Sequence, residues 1–134
     1  RIVARIVRDD CPDAPDQRQD GFWPSLYKDA PGFIGPGSNF RERFAKAQAE
    51  SEAVMEAWRR DDWFYCGIVL SVSLDGVILD EHAISLWGVE ANYPGSDNAH
   101  LTEAADELLA DAIAIGLKAA QRLCATLARL EAGT

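Results

Sequence analysis

The run Asp80-Glu81-His82-Ala83-Ile84-Ser85 places acids, a histidine and a serine within six residues. Those are the ingredients of a nucleophile–base–acid relay, which needs its three groups within hydrogen-bond reach of one another. In a regular β-strand, consecutive side chains point to opposite faces. Glu81 then cannot orient His82, and Ser85 shares its face with Glu81 rather than with His82. The alternation favours a half-buried structural histidine, and no catalytic residue is assigned.

Metal chemistry needs several His, Cys or carboxylate groups that converge. His82 and His100 are the only histidines, and no H-x-x-x-H spacing occurs. A carboxylate-only magnesium site would draw on Asp9, Asp10 and Asp13, or on Asp80, Glu81 and Glu90. Charge runs of this kind are usually solvated, so no metal and no cofactor are assigned. The glycine-rich stretch before Asn39 lacks the lysine of a phosphate loop, since Gly37-Ser38-Asn39 stands at its end. Chain reversal and helix capping account for it. Cys11, Cys66 and Cys124 are an odd set without close pairing, which argues against a disulfide framework and a cysteine zinc knuckle. Free thiols suit a reducing, cytoplasmic compartment.

Charge is the more informative trait. The chain of 134 residues carries a net charge of −9, which disfavours direct binding to a nucleic-acid backbone. Between Arg60 and Lys118 there is neither lysine nor arginine, while Asp61, Asp62, Asp75, Asp80, Glu81, Glu90, Asp97, Glu103, Asp106, Glu107 and Asp111 all fall in that interval. Acids near a helix start and cations near its end suit the helix dipole, so Glu103 to Asp111 and Lys118, Arg122 and Arg129 have an ordinary explanation. That account does not extend to the cation-free segment before the helix. An extended anionic surface can occupy a protein site built for phosphates, because the site's cations respond to charge whatever its source.

The elements that must position these groups are readable from periodicity. Ile2, Ala4 and Ile6 alternate with Val3, Arg5 and Val7 as a strand. Residues 9–38 form a long irregular loop rich in Asp, Pro and Gly, expected to be pinned to the core by Phe22, Trp23, Leu26, Tyr27, Phe33 and Ile34. Phe40, Phe44, Ala47, Ser51, Val54, Met55 and Trp58 mark one face of a helix over 39–60, with Asn39 and Glu42 as a capping box and Glu42/Lys46 and Glu56/Arg60 as surface pairs. Residues 63–91 read as a β-hairpin around Asp75-Gly76, a favoured two-residue turn. Counting outward from that turn, Trp87 falls opposite Phe64, on the face of Cys66, Ile68 and Leu70. Glu81 falls on the same apolar face, a conflict that a bulge near Asp80-Glu81, or a break there, would relieve. Trp58, Trp63 and Trp87 are expected to cluster in the core.

A second helix is expected over 99–130, with Leu101, Ala105, Leu108, Ala112, Ile115, Ala119, Leu123, Leu127 and Leu130 on or beside its inner stripe. At 1.5 Å per residue it runs roughly 48 Å, longer than a three-stranded sheet can cover. Its distal end is expected to meet the first helix, a second subunit, or nothing. Gly116 can bend it or admit a close crossing. The fold class expected is therefore α+β: a single domain, with a small antiparallel sheet made from the N-terminal strand and the hairpin, and two α-helices packed on one face. No window reaches the ~18–20 apolar residues of a membrane span. No secretory leader is visible, and the sequence opens at Arg1.

The run ISLWGVEANYPGSDNAHLTEAADELLADAI resembles a pattern of small bacterial and phage proteins. In that pattern a Ser-Leu-Trp-Gly-hydrophobic-Glu strand leads through an acidic turn into a Leu-x-Glu-x-Ala-x-Glu-Leu-like helix. The residues concerned are Ser85, Leu86, Trp87, Gly88, Val89 and Glu90, then Leu101, Glu103, Ala105, Glu107 and Leu108. Asp9 or Asp10 with Pro12 and Pro15 extends the likeness. It covers about a third of the chain and carries no activity to transfer. It implies a mobile-element origin and, by association, an inhibitor of host defence of the anti-CRISPR or anti-restriction type.

The function expected is a non-catalytic acidic binding protein that blocks a basic, nucleic-acid-binding host complex by mimicry. Its contact residues would be Asp75, Asp80, Glu81, Glu90, Asp97, Glu103, Asp106, Glu107 and Asp111. The alternatives are a carboxylate-based metal-dependent enzyme, or a structural or accessory protein that forms a homodimer through the long C-terminal helix. No direct nucleic-acid contact and no membrane partner are expected.

Overall fold

The computed structural model describes residues 1–133. Along the chain lie β1 (Ile2–Arg8), α1 (Pro15–Arg18), α2 (Phe40–Arg59), β2 (Phe64–Leu74), β3 (Val77–Ala91) and α3 (Ala99–Glu131), an α+β architecture. They form two compact units. One joins Arg1–Asp9, Tyr65–Ala91 and the segment from Ser96; the other joins Asp10–Phe64 and Asn92–Gly95.

The first unit is a three-stranded antiparallel sheet, order β1-β2-β3, with α3 against it. β2 is a nearly unbroken apolar run, which suits a strand covered on both sides. Its pairing with β1 runs from Ile2↔Val72 to Arg8↔Cys66 without interruption. Asp75 and Gly76 both take positive φ, 49° and 80°, as the tight turn requires. Cys66, Ile68, Leu70 and Val72 on one face and Tyr65 and Val69 on the other are all buried. Full burial of a Leu, Ile or Val side chain is worth about 1.5–3 kcal/mol, so β2 carries most of this unit's apolar stabilisation.

α3 lies over the Val72 face. A Cβ added to Gly116 would stand 2.6 Å from Val72 Cγ1, so the close approach of helix to sheet depends on the missing side chain. Leu101, Ala112 and Ala119 are buried along the same line of the helix. Beyond Ala120 every described residue of α3 is exposed. The expected inner stripe therefore holds only to Ala119, and Leu123, Leu127 and Leu130 lie outside the core.

β3 departs from the register expected from its turn. The Trp87 ring covers Gly67, where an added Cβ would come within 2.4 Å of it. Gly67 belongs to the face of Tyr65 and Val69, opposite to that of Phe64. Because the β1–β2 ladder is continuous across Gly67, the extra residue that inverts parity lies in β3. Around Glu81 side chains engage the backbone: the His82 N–H donates to Asp80 Oδ1 at 2.9 Å, and the Glu81 carbonyl accepts from Arg5 Nη1 at 3.0 Å. An extra residue within β3 before Trp87 is the local reason that Trp87 changes face. Trp87, expected in the core, stays half-exposed on the sheet.

In the second unit, Trp63 is the anchor. It is 1% exposed, its indole donates to the Val54 carbonyl at 2.9 Å, and its ring packs edge-on to Tyr93 at 5.0 Å. The loop before α2 is held less by aromatics than by Arg43, which donates to the carbonyls of Ile34, Gly35 and Ser38. Phe22 is tied to α2 through Ser51, whose hydroxyl donates to its carbonyl, and Trp23 donates to Asp16. Leu26 and Tyr27, expected to pin the loop, are 51% and 81% exposed. The capping box is absent: Asn39 sits in the left-handed region at φ 61°, without a side-chain cap bond. Glu56 pairs with Arg59, one residue short of the expected Arg60, which instead meets Asp62.

Two expectations follow. Gly67→Val forces a branched side chain under the Trp87 ring and is expected to cost about 1–3 kcal/mol, read as a lower urea midpoint at unchanged slope, with Trp87→Ala recovering part of the loss. Of the thiols, Cys11 and Cys124 are exposed and Cys66 is buried, and burial pushes the Cys66 thiol above its ordinary 9.0. The folded chain therefore keeps this proton where the unfolded chain loses it, so its contribution is whole below about pH 9 and declines above. A thiol reagent at neutral pH is expected to label Cys11 and Cys124 in the native chain, and Cys66 only after denaturation.

Candidate functional site

A polar contact with potential for chemistry lies at the centre of β3. His82 Nε2 lies 2.9 Å from Ser85 Oγ, and Trp87 Nε1 donates to the same oxygen at 3.1 Å. His82 and Ser85, expected out of hydrogen-bond reach of one another, are within it. An inserted residue near Glu81 precedes both groups and leaves their relative parity unchanged, so it does not account for the contact.

Serine beside a histidine nitrogen is half of a nucleophilic arrangement, but the rest of the machinery is not drawn up around it. The Asp80 carboxylate is engaged with the backbone N–H of His82, not with the ring. Among the described residues no carboxylate bonds the His82 ring to fix its tautomer. The indole N–H draws on the Ser85 lone pairs, which lowers their availability for attack. His82 and Trp87 are both exposed, so water is not excluded.

The nine carboxylates expected to form one contact surface are spread over several places. Asp75 is in the hairpin turn, and Glu90 is next to the last residue of the 15-residue β3. Asp80 and Glu81 flank the bulge, where Glu81 borders a shallow depression of about 360 Å³ with Arg5, Ser71, Ser73 and Ile78. Asp97 accepts the Ala99 N–H at 2.9 Å and so turns the chain into α3. The Glu90 carbonyl meets His100 Nε2 at 2.5 Å, fixing the end of β3 to the start of that helix. Glu103, Asp106, Glu107 and Asp111 are the four that share an element, all exposed on the side of α3 turned from the buried Leu101 and Ala112. No ion pair to a lysine or arginine engages any of the nine among the described residues.

The carboxylates weighed as magnesium ligands do not converge: no group of three or more His, Cys, Asp or Glu able to hold a metal ion occurs among the described residues. No described helix is long and apolar enough to cross a membrane. A cleft of about 430 Å³ in the second unit, lined by Phe22, Phe33, Ile34, Glu50, Val54 and Tyr93, was not legible in the sequence. Its walls come from the loop, α2 and the 92–95 turn, which share no local pattern.

Comparisons with family models, with curated proteins and with solved structures each return no significant similarity.

A serine-directed fluorophosphonate is expected to leave Ser85 unlabelled, by intact-mass analysis, at the concentrations that label activated serine nucleophiles. Stoichiometric labelling lost in Ser85→Ala would show instead that the His82–Ser85 pair is reactive.

Proposed function

We propose that this chain is a non-catalytic binding protein whose contact surface is the acidic side of the first half of α3. The observation that carries the reading is the set Glu103, Asp106, Glu107 and Asp111: four exposed carboxylates on one helix side, without an ion-pair partner among the described residues. The eight steps from Glu103 to Asp111 cover about 12 Å of helix axis. Four charges in that length match a single DNA strand, which carries one per ~3.4 Å, better than a duplex, which carries one per ~1.7 Å. The partner is a basic protein that binds single-stranded nucleic acid, and the helix side takes the place of the phosphates. The resemblance to phage-borne small proteins favours a host defence complex as that partner. Glu90 and Asp97 precede the helix, with the Asp97 carboxylate engaged at its first N–H, and Asp75 lies at the hairpin turn, so the contact set is the four helix carboxylates.

Steering by this patch makes association fast and sensitive to salt. The immobilised chain is expected to retain basic single-strand-binding proteins from a bacterial lysate at low salt and to release them to added single-stranded DNA. Reversing Glu103, Asp106 and Glu107 to Lys is expected to weaken that retention roughly tenfold or more, with the helical circular dichroism unchanged. Retention that ignores both the reversal and the competitor would refute the reading.

A further inference from the structure

The cleft of the second unit has the size and the chemistry of a small-molecule site. Its volume of about 430 Å³ falls within the roughly 300–1,000 Å³ usual for such sites. α2 contributes Ala47, Glu50, Ser51 and Val54, whose steps of three and four place them on one helix side. The rest of the lining comes from the loop before α2 and from Tyr93.

The loop side of the cleft is fixed by backbone contacts. A Cβ on Gly32 would stand 2.1 Å from the Trp23 carbonyl oxygen, and one on Gly21 would stand 2.6 Å from the Pro31 carbonyl carbon. Two limbs of the loop therefore touch main chain to main chain only because both residues lack a side chain. The Ser25 N–H donates to the Gly32 carbonyl at 2.8 Å, and the Ile34 N–H donates to the Ser25 carbonyl at 3.1 Å. The Ser51 hydroxyl ties Phe22 to α2 at 3.0 Å, and the Tyr93 ring rests edge-on against Trp63. Phe22, Phe33 and Tyr93 are thus carried on ordered backbone, and a ligand need not order them first.

The polar groups select the kind of ligand. Among the described lining residues Glu50 alone is charged, and none is Lys, Arg or His. No ion pair engages Glu50 among the described residues. Arg43, two turns earlier on α2, is committed to the carbonyls of Ile34, Gly35 and Ser38. Ser51 gives its one proton to Phe22, so its remaining capacity is as an acceptor. The cleft therefore offers negative charge and lone pairs beside aromatic rings, whose faces attract cations. A divalent metal is poorly matched, because hard cations take about six or more oxygen ligands and no group of three His, Cys, Asp or Glu able to hold a metal ion occurs among the described residues. From the charge, the acceptors and the rings together we infer that this cleft binds a small organic ammonium ion with an aryl or alkyl body. The ammonium group donates to Glu50 and Ser51 Oγ, and the body lies against Phe22, Phe33, Ile34 and Val54. The proposal does not depend on the acidic contact surface, whose carboxylates belong to the other unit.

Phenethylammonium is the probe, titrated into the nitrogen-labelled whole chain and followed by amide chemical shifts. Saturable shifts are expected at Phe22, Phe33, Ser51 and Tyr93, with a Kd on the order of 1 mM or tighter. Phenethyl alcohol and phenylpropionate keep the ring without the positive charge and are expected to bind about tenfold more weakly or less. Glu50→Gln is expected to weaken the amine roughly tenfold, and Glu42→Gln to leave it unchanged. Both positions are exposed, so the fold is retained, and the pair separates a local carboxylate from the general pull of a chain of net charge −9. The proposal is overturned by shifts that do not saturate or that map to α3, by an alcohol that binds as tightly as the amine, or by Glu50→Gln binding as the parent does. Tighter binding of acetyl-lysine amide than of phenethylammonium would overturn it in favour of a lysine presented by another protein.

Discussion

The first unit depends on burying β2 from both sides at once. Its strand offers Cys66, Ile68, Leu70 and Val72 to one face and Tyr65 and Val69 to the other, and none of these tolerates water. The Val72 face is closed by α3, which comes close only because Gly116 has no side chain. On the other face the ring of Trp87 lies across Gly67, again over a position without a Cβ. Two glycines thus set the thickness of the layers. An added Cβ would stand well inside contact distance at either, so packing at both sites is tight enough to feel one methyl group.

Placing Trp87 on the Gly67 face costs β3 its regular register. Near Glu81 side chains take up backbone groups of the strand: Asp80 takes the His82 N–H and Arg5 takes the Glu81 carbonyl. Backbone groups freed from a ladder must find partners, and these are local ones. Ser85 Oγ sits between the His82 ring and the Trp87 indole N–H. A serine beside a histidine here has no orienting carboxylate on the ring among the described residues, which is why proximity alone does not make it a nucleophile.

The long helix serves two purposes along its length. Its first half covers the sheet and turns carboxylates outward. Its second half has no sheet beneath it, yet keeps an apolar side. Acids in the first turns and cations in the last satisfy the helix dipole within one chain. That same polarity makes the helix electrostatically unlike at its two ends. Any surface that meets α3 lengthwise therefore meets a gradient of charge, and its direction of docking is constrained.

Much of the architecture was legible because it follows from local rules. The Asp75-Gly76 turn, the strand character of β2, both long helices and the antiparallel sheet come from turn chemistry and periodicity, and their bounds agree with expectation to within a few residues. The excess length of α3 over the sheet was likewise a matter of counting residues. What tertiary structure alone decided is everything that depends on which face a residue meets. The identity of Trp87 says nothing about Gly67, twenty positions away, and the bulge exists to satisfy that contact. The meeting of His82 with Ser85 and the exposure of Trp87, Leu26 and Tyr27 were likewise out of reach. The acidic segment divides in the same way. Sequence order makes its residues neighbours in number, but a hairpin and a helix distribute them over a turn, a bulge, a strand end and a helix side. Only Glu103 to Asp111 stay together, because the helical repeat alone is short enough to turn spacing along the chain into proximity in space.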